Sequence, residues 1–188
     1  GTPASQILKY NEYDDYFSLA TGNFVAGKGY AFSAEVNATY PENPTGYNKT
    51  YKFKGVPNNG IIDIAAARSP NTGAVVHGYN LIGNPYPSNL SFPQFYALNS
   101  TKIYNTAWFW TNNFYTPNQQ GSGYSGNNYA IFNGTGGVSA TGSASSNPSN
   151  TNNNTNVPNG IIPVGQGFMV QVRNVGNTTL QFRNMNGA

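Results

Sequence analysis

The stretch GYNLIGNPYPSNLSF, residues 78–92, constrains the fold more than any other part of the chain. Its two prolines fix φ at about −65° and remove two backbone donors, and each pushes the residue before it towards extended geometry. The apolar pair Leu81-Ile82, just before the prolines, therefore cannot continue as a helix or as a central strand. We predict a strand that stops abruptly and leaves its sheet through a rigid corner made of Gly83, Asn84, Pro85, Tyr86 and Pro87.

The segment after the corner carries the one helical signal of the sequence. Ser91 stands near a capping position and Pro93 in the first turn, ahead of an apolar run. Both are expected start signals of a helix. We therefore expect one or two helical turns that lead the chain from one part of the fold to another, which makes the corner an architectural feature. The alternative is that Asn84 and Tyr86 are presented rigidly near a binding surface.

Most other segments alternate apolar and polar residues with a period of two, the pattern of half-buried strands. Clusters of turn-forming residues separate them. The fold class that follows is all-β: an antiparallel, jelly-roll-like β-sandwich in one domain over residues 1–188, with at most one or two short helical turns. Strands are predicted over residues 29–36, 50–54, 61–67, 102–111, 127–134, 167–173 and 178–183.

The two ends of the chain resemble each other. GKGYAFSAEV (27–36) matches GQGFMVQVRN (165–174), and TYKFKGVPNNG (50–60) resembles TLQFRNMNGA (179–188) in the same order. We interpret the pairs as a degenerate duplication of strand-turn-strand units, against the alternative of chance similarity between strands. The first three residues of the two blocks in the first pair, 27–29 and 165–167, have the pattern Gly-x-Gly. Each leads into a predicted strand, which favours a tight turn over a phosphate-binding loop. The two related halves span about residues 16–60 and 129–188.

The composition is typical of an extracellular β protein with long polar loops. Charged residues are 8% of the chain, against about 25% in a typical soluble domain. The net charge is +3 without a run of Lys or Arg, and there is no cysteine, so neither nucleic-acid binding nor a disulfide framework is indicated. No window approaches the roughly 18 apolar residues of a membrane span, so no membrane insertion is expected. Residues 133–160 form a low-complexity polar stretch that predicts a long loop.

Few residues are suited to catalysis or to metal binding. The chain has six carboxylates and one histidine, and no motif brings a catalytic pair together, so we assign no catalytic residue and no enzyme activity. No cofactor is required, although calcium is the most credible metal. The segment NEYDD, residues 11–15, supplies three carboxylates, and calcium favours oxygen ligands from flexible loops. The alternative is that this segment is a solvated acidic turn that binds no metal. The candidate calcium ligands are Glu12, Asp14 and Asp15.

Aromatic residues supply the candidate binding site. Trp108 and Trp110 share one face of a predicted strand, and Tyr115 and Tyr124 follow on a loop rich in Gly and Asn. Aromatic rings beside amide side chains form a platform on which sugar rings stack. The alternative is that the tryptophans pack in the core. A platform requires Trp108 or Trp110 to be solvent-exposed and coplanar with a second ring, which distinguishes the two interpretations.

The motifs GKGYAF, GVPNNG, NLIGNPYPS, FWT, IPVGQGFMV and FRNMN follow one another between about Gly27 and Met185. In this order they resemble a C-terminal module of large secreted proteins of the Bacteroidetes, which often precedes the type IX secretion sorting domain. The resemblance implies export and surface display, and it brings neither a ligand nor catalytic residues. Two features depart from the family: Asn186, Gly187 and Ala188 stand where an arginine usually follows Met185, and no sorting domain is present.

Together these patterns predict a non-catalytic secreted or cell-surface module of a large adhesin-like protein, which presents polar and aromatic loops to an extracellular glycan or a surface protein. Two alternatives stay open. One is a carbohydrate-binding module attached to a secreted polysaccharide-degrading enzyme, and the other is a structural spacer that precedes an export signal.

Overall fold

The computed structural model describes residues 7–32, 54–110, 129–140 and 157–184. These residues form twelve strands and one short helix, with antiparallel strand pairs, so the fold is an all-β sandwich as predicted. Within these ranges no helix has the length and apolar character needed to span a membrane. The elements are β1 (Ile7–Asn11), β2 (Tyr16–Leu19), β3 (Ala31–Phe32), β4 (Ile61–Arg68), β5 (Tyr79–Gly83), β6 (Leu90–Ser91), α1 (Phe92–Asn99), β7 (Ile103–Trp110), β8 (Tyr129–Phe132), β9 (Gly137–Val138), β10 (Ile161–Ile162), β11 (Gly167–Val172) and β12 (Gly176–Arg183).

The longest-range strand pairings join the two ends of the chain. The five-stranded sheet has the order β5-β11-β7-β8-β9, so β11 lies between β5 and β7. β12 pairs with β4 along its whole length, from Gly176 opposite Arg68 to Arg183 opposite Ile61. Smaller sheets have the orders β2-β1-β3 and β10-β6. The C-terminal strands therefore complete both sheets that enclose the core.

Phenylalanine rings fill the space between the five-stranded sheet, the β4–β12 pair and α1. Phe92 and Phe95 of α1, Phe168 of β11 and Phe182 of β12 are each at most 1% exposed. The Phe95 ring centroid lies 4.8 Å from that of Phe182 and 5.8 Å from that of Phe168. Burial of one such ring stabilises the fold by about 1.5–3 kcal/mol. These rings define the inner face of the five-stranded sheet.

The predicted helix is confirmed, and both of its ends are held by distant parts of the chain. Ser91 is the N-cap residue, but its side chain makes no capping bond. The first helical N–H, that of Phe92, donates instead to the carbonyl of Gly160 at 2.8 Å. At the other end the wholly buried Asn99 donates to Gln181 O at 2.9 Å and accepts from Gln181 N at 2.9 Å. Asn99 thus pairs with the edge of β12 as a neighbouring strand would.

The predicted corner follows directly from the end of β5 at Gly83. The Asn84 side chain is only 8% exposed and accepts from the N–H of Tyr86 at 3.0 Å, which closes an Asx turn. Its amide group donates to the carbonyls of Ser88 at 2.8 Å, Ile162 at 3.2 Å and Pro163 at 3.2 Å. One buried amide therefore fixes the corner to the C-terminal part of the chain.

Tyr86 fixes the same corner to the segment before β4. Its ring is 3% exposed, and its hydroxyl donates to the carbonyl of Gly60 at 2.6 Å. Asn58, at the surface, donates to the carbonyl of Pro85 at 2.9 Å. Because the polar groups of Asn84 and Tyr86 bond inward, these contacts support the architectural role of the corner rather than presentation to a ligand.

Both Gly-x-Gly segments form the tight turns that were predicted. Lys28 and Gln166 each donate a backbone N–H to the carbonyl three residues earlier, at 3.1 and 3.2 Å. Gly27 and Gly165 take φ values of 82° and 73° in these turns, a region that L-residues rarely adopt. Residues 27–29 bond to one edge of β5, and β11 pairs with the other edge. The duplication itself stays a prediction.

The polar stretch 133–160 is not one continuous loop, because its start belongs to the sheet. β9 pairs with β8 through a tight connection, with Gly137 opposite Phe132. The Asn133 side-chain oxygen accepts from the N–H groups of Thr135 and Gly136, both at 3.2 Å. This side-chain-to-backbone bonding makes the turn that alternation alone does not reveal. Residues 141–156 lie outside the described residues.

The N-terminal strands differ most from the sequence-based expectation. β1 was not predicted, yet it pairs with both β2 and β3. The strand predicted over residues 29–36 is seen as the two residues of β3, and residues 33–36 lie outside the described ranges. Phe32 in β3 is 45% exposed. Residues 50–53 of another predicted strand are likewise outside the described part of the chain.

Candidate functional site

Among the described residues, four neighbouring aromatic residues lie on the outer face of the five-stranded sheet, the side turned away from the phenylalanine core. The Phe109 ring packs on the core residue Phe168 with a centroid distance of 6.1 Å. Since neighbouring side chains on a strand point to opposite faces, Trp108 and Trp110 occupy the other side of β7, as predicted. Tyr79 of β5 and Tyr129 of β8 adjoin them. The outer aromatic face is defined here as Tyr79, Trp108, Trp110 and Tyr129.

The rings of this face form two nearly perpendicular pairs. Tyr79 and Trp108 have centroids 5.3 Å apart with an angle of 78° between their planes. Trp110 and Tyr129, which stand opposite each other across β7 and β8, have centroids 5.2 Å apart at 78°. Edge-to-face pairs of this kind are favourable contacts worth about 0.5–1.5 kcal/mol beyond the burial of their area. They hold the four rings in fixed orientations.

A flat sugar-binding platform requires an exposed tryptophan and a second ring coplanar with it, and the two described ring pairs meet only the first requirement. Trp110 is 40% exposed, so one tryptophan meets the first requirement, while Trp108 is only partly exposed. Neither tryptophan is coplanar with its tyrosine partner, because both pairs stand at 78°. The face therefore offers differently oriented rings rather than one continuous flat surface. Tyr115 and Tyr124, the other predicted platform residues, lie outside the described residues.

The acidic turn between β1 and β2 borders the outer aromatic face. Burial, followed by the charge of Asp15, raises the pKa of Tyr79. Burial, followed by a hydrogen bond to Asp15, also raises the pKa of Tyr10, and the neighbouring Tyr129 contributes to the same shift. The Tyr10 hydroxyl donates this bond to the Asp15 carboxylate. The charge of Arg68 lowers the pKa of Tyr79, so a carboxylate, a phenol and a guanidinium stand beside the aromatic rings.

Asp15 has an unusual backbone conformation. Its φ is 49°, and it is the one non-glycine residue with positive φ among the described residues. Aspartate tolerates this left-handed region better than most residues, but at some cost in free energy. Such local strain often marks a functional position, and here it directs the carboxylate towards the Tyr10 hydroxyl.

Glu12, in the same turn, forms hydrogen bonds to two distant segments of the chain that the sequence did not reveal. Its carboxylate accepts from the N–H and the hydroxyl of Ser69 at 2.9 and 2.7 Å and from the N–H of Gly78 at 2.6 Å. His77 Nδ1 lies 3.3 Å from the Glu12 carbonyl oxygen, consistent with a structural histidine. Charge-assisted hydrogen bonds are among the stronger ones in proteins. Glu12 therefore fastens the β1–β2 turn to the end of β4 and the start of β5.

The three candidate calcium ligands have separate hydrogen-bond partners. Glu12 bonds to Ser69 and Gly78, Asp14 accepts from the Asn11 side chain, and Asp15 accepts from the Tyr10 hydroxyl. Across residues 7–32, 54–110, 129–140 and 157–184, no group of three or more His, Cys, Asp or Glu side chains is arranged to hold a metal ion. The calcium site at this turn stays a prediction.

Comparison with known proteins identifies the family of the chain. No curated protein and no solved structure matches it. A family model described as a domain of unknown function (DUF8693) matches residues 1–187. Because this match covers nearly the whole chain, the protein belongs to that family.

Proposed function

We propose that the chain is a non-catalytic module of a large secreted or surface-displayed, adhesin-like protein, and that it acts by adhesive contact through its outer aromatic face. The observation that carries this proposal is the 40% exposure of Trp110 on a rigid sheet whose inner face is packed against the core. Exposed indole rings in fixed orientations are effective contact groups, because they bury a large apolar area with little loss of conformational entropy. The order of the sequence motifs supports export of the parent protein.

The hydrogen bonding of the best-positioned polar side chains supports a scaffold rather than a reaction centre. The carboxylate of Glu12 accepts three hydrogen bonds from Ser69 and Gly78. The amides of Asn84 and Asn99 bond to backbone groups of distant segments. These side chains hold the turns of the sandwich in place, so the exposed rings keep a defined geometry.

A second candidate is a carbohydrate-binding module attached to a secreted polysaccharide-degrading enzyme. The exposure of Trp110 beside Tyr129 favours it, because sugar rings bind to aromatic side chains by stacking. This candidate differs from the first in the parent protein rather than in the contact. A catalytic domain in the flanking sequence would support the carbohydrate-binding module, whereas adhesive repeats would support the adhesin-like parent protein.

The proposal is tested by attaching the purified chain to beads and measuring their retention on surfaces coated with polysaccharides, with extracellular-matrix proteins or with whole bacterial cells. We expect retention on at least one surface, and no release of reducing sugars or peptides over the same period. Release of products with turnover would overturn the non-catalytic proposal. Retention on none of the surfaces would overturn the adhesive proposal and favour a structural spacer.

A further inference from the structure

The ligand class follows from the ring geometry and from the charge beside the rings. Building on the proposed function, we propose that the outer aromatic face binds single, soluble chains of a neutral glycan, with a pyranose ring stacked on Trp110. Neither crystalline polysaccharide surfaces nor anionic glycans are ligands of this face. The bound chain extends from Trp110 along β7 towards Trp108 and the acidic turn at Asp15.

The stacking step rests on Trp110. Its 40% exposure leaves part of the indole open to the apolar C–H face of a sugar ring. The Tyr129 ring, at 78° to it, supplies a second aromatic surface in another orientation. Trp108 is two positions away on the same strand, so its backbone lies about 7 Å from that of Trp110. That spacing is of the order of one sugar unit, which allows neighbouring units of one chain to contact both residues.

The preference for single chains follows from the two perpendicular ring pairs. A crystalline polysaccharide presents a flat array of sugar rings, and binding to it requires coplanar aromatic side chains. The angles of 78° at Tyr79–Trp108 and at Trp110–Tyr129 show that neither tyrosine extends the plane of its tryptophan partner, so the four rings do not form one plane. A flexible soluble chain can instead turn successive sugar units to match differently oriented rings.

The preference for neutral sugars follows from the acidic turn. The Glu12 carboxylate accepts from the N–H of Gly78, the residue before Tyr79, so the turn that carries Asp14 and Asp15 lies beside the start of β5. Burial and the charge of Asp15 raise the pKa of Tyr79, and the charge of Arg68 lowers it. The Arg68 guanidinium donates to the Val172 carbonyl at 2.9 Å. Carboxylates are good hydrogen-bond acceptors for sugar hydroxyls. The same negative charges repel uronic acid and sulfate groups, although the chain as a whole carries a net charge of +3.

Tryptophan fluorescence is a direct reporter of this site, because the chain has two tryptophans and both belong to the outer aromatic face. The unmodified chain is titrated with soluble β-glucan, α-mannan and galactan, and with polygalacturonate as the anionic probe. We expect a saturable change in emission with at least one neutral polysaccharide and at least tenfold weaker binding of polygalacturonate. In a sedimentation assay, microcrystalline cellulose should not remove the protein from solution.

Variants separate the site from the rest of the surface, with affinity gel electrophoresis in the neutral polysaccharide as the readout. Trp110→Ala should weaken binding at least tenfold, and Trp110→Phe, which keeps an aromatic ring, should weaken it less. Tyr104→Ala is the matched control, because Tyr104 is 39% exposed on the same strand; its affinity should stay within twofold. Asp15→Asn retains a residue type that tolerates positive φ. It should lower the ratio of the affinity for the neutral polysaccharide to the affinity for polygalacturonate. Thermal unfolding of each variant confirms that it is folded.

The outcomes distinguish this inference from the proposed function. If beads carrying the protein adhere to a surface but no neutral polysaccharide changes the tryptophan emission, the ligand assignment is wrong and the adhesive function stands. Preferential binding of polygalacturonate or cellulose, or unchanged affinity of both Trp110 variants, also overturns the assignment. If no coated surface retains the beads and no polysaccharide is bound, both proposals fail.

Discussion

Replacement of Asn84 by alanine tests how much of the fold depends on the corner after β5. The wild-type side chain accepts from the buried N–H of Tyr86 and donates to the buried carbonyl of Ile162, at 3.0 and 3.2 Å. Asn84→Ala leaves both backbone groups without these partners. The segment between β5 and α1 then loses its side-chain bond to the Pro163 carbonyl and keeps the backbone bond from the N–H of residue 84 to the Gln166 carbonyl at 3.1 Å.

The expected destabilisation comes mainly from the buried N–H of Tyr86, which costs about 1–3 kcal/mol when it is left unsatisfied. The Ile162 carbonyl keeps its place opposite Leu90 in the β6–β10 pair, so the loss of its bond to Asn84 costs about 0.5–1.5 kcal/mol. The lost bond to the exposed Ser88 carbonyl at 2.8 Å is replaced by water at little cost. We therefore expect Asn84→Ala to lower the free energy of unfolding by about 1.5–4.5 kcal/mol, which for a chain of this length corresponds to a fall in Tm of about 3–18 °C.

Thermal unfolding followed by circular dichroism measures the effect, with Asn58→Ala as the matched control. Asn58 belongs to the same corner and makes one bond to the Pro85 carbonyl, but it is exposed, so its loss should cost less than about 1 kcal/mol. A folded Asn84→Ala protein with a Tm within 2 °C of the wild type would refute the reasoning. Equal losses in the two variants would also contradict it, because burial would then not matter.

Three further predictions test other parts of the fold. Gly29→Ala should destabilise the protein by several kcal/mol or prevent folding, since the added Cβ would lie 2.6 Å from a side-chain carbon and 2.8 Å from a backbone oxygen of β5. Gly167→Ala, the matching position of the second Gly-x-Gly, should change Tm little, because its nearest contact is 3.6 Å; equal losses would contradict this account. Glu12→Gln should cost about 1.5–3 kcal/mol in denaturant unfolding, and no loss would show that its three bonds are not important for stability. Burial raises the pKa of Tyr10 and of Tyr79, so the folded state keeps protons that the unfolded state releases at about pH 10. The free energy of unfolding should therefore be unaffected below about pH 9 and fall above about pH 10. A Tyr10→Phe variant with an equally steep fall would rule out Tyr10 as a source of this pH dependence.

The central elements could be predicted from sequence because their signals are local. Two prolines within three residues leave few backbone choices, so the corner and the end of β5 at Gly83 follow from covalent geometry. The alternation in IIDIAAA similarly predicts β4, in which Ile64 is buried and Asp63 is exposed. In each case the neighbouring residues carry the information.

What the sequence did not reveal depends on contacts between distant segments. Glu12 bonds to Ser69 across 57 positions, and Asn99 bonds to Gln181 across 82. No local pattern distinguishes such an Asn or Glu from one at the surface. β1 was missed for the same reason, because its pairing with β2 and β3 stabilises a segment in which Lys9 interrupts the apolar residues.

The candidate site was predicted in part. Alternation around Phe109 placed Trp108 and Trp110 on one face, and the structure agrees. Tyr79 joins that face only because β5 and β7 flank β11, a strand order that the sequence does not specify. The angles between the rings are set by packing across strands, so the absence of coplanarity in the two described pairs could not be foreseen.

Oxidation footprinting of the two tryptophans tests most directly whether the outer aromatic face is the contact surface. The protein is oxidised briefly with and without a saturating soluble neutral polysaccharide, and the modification of each tryptophan is quantified by mass spectrometry. We expect Trp110, at 40% exposure, to react faster than Trp108 in the free protein and to be protected several-fold by the polysaccharide. Equal oxidation of Trp110 with and without the polysaccharide would contradict the account.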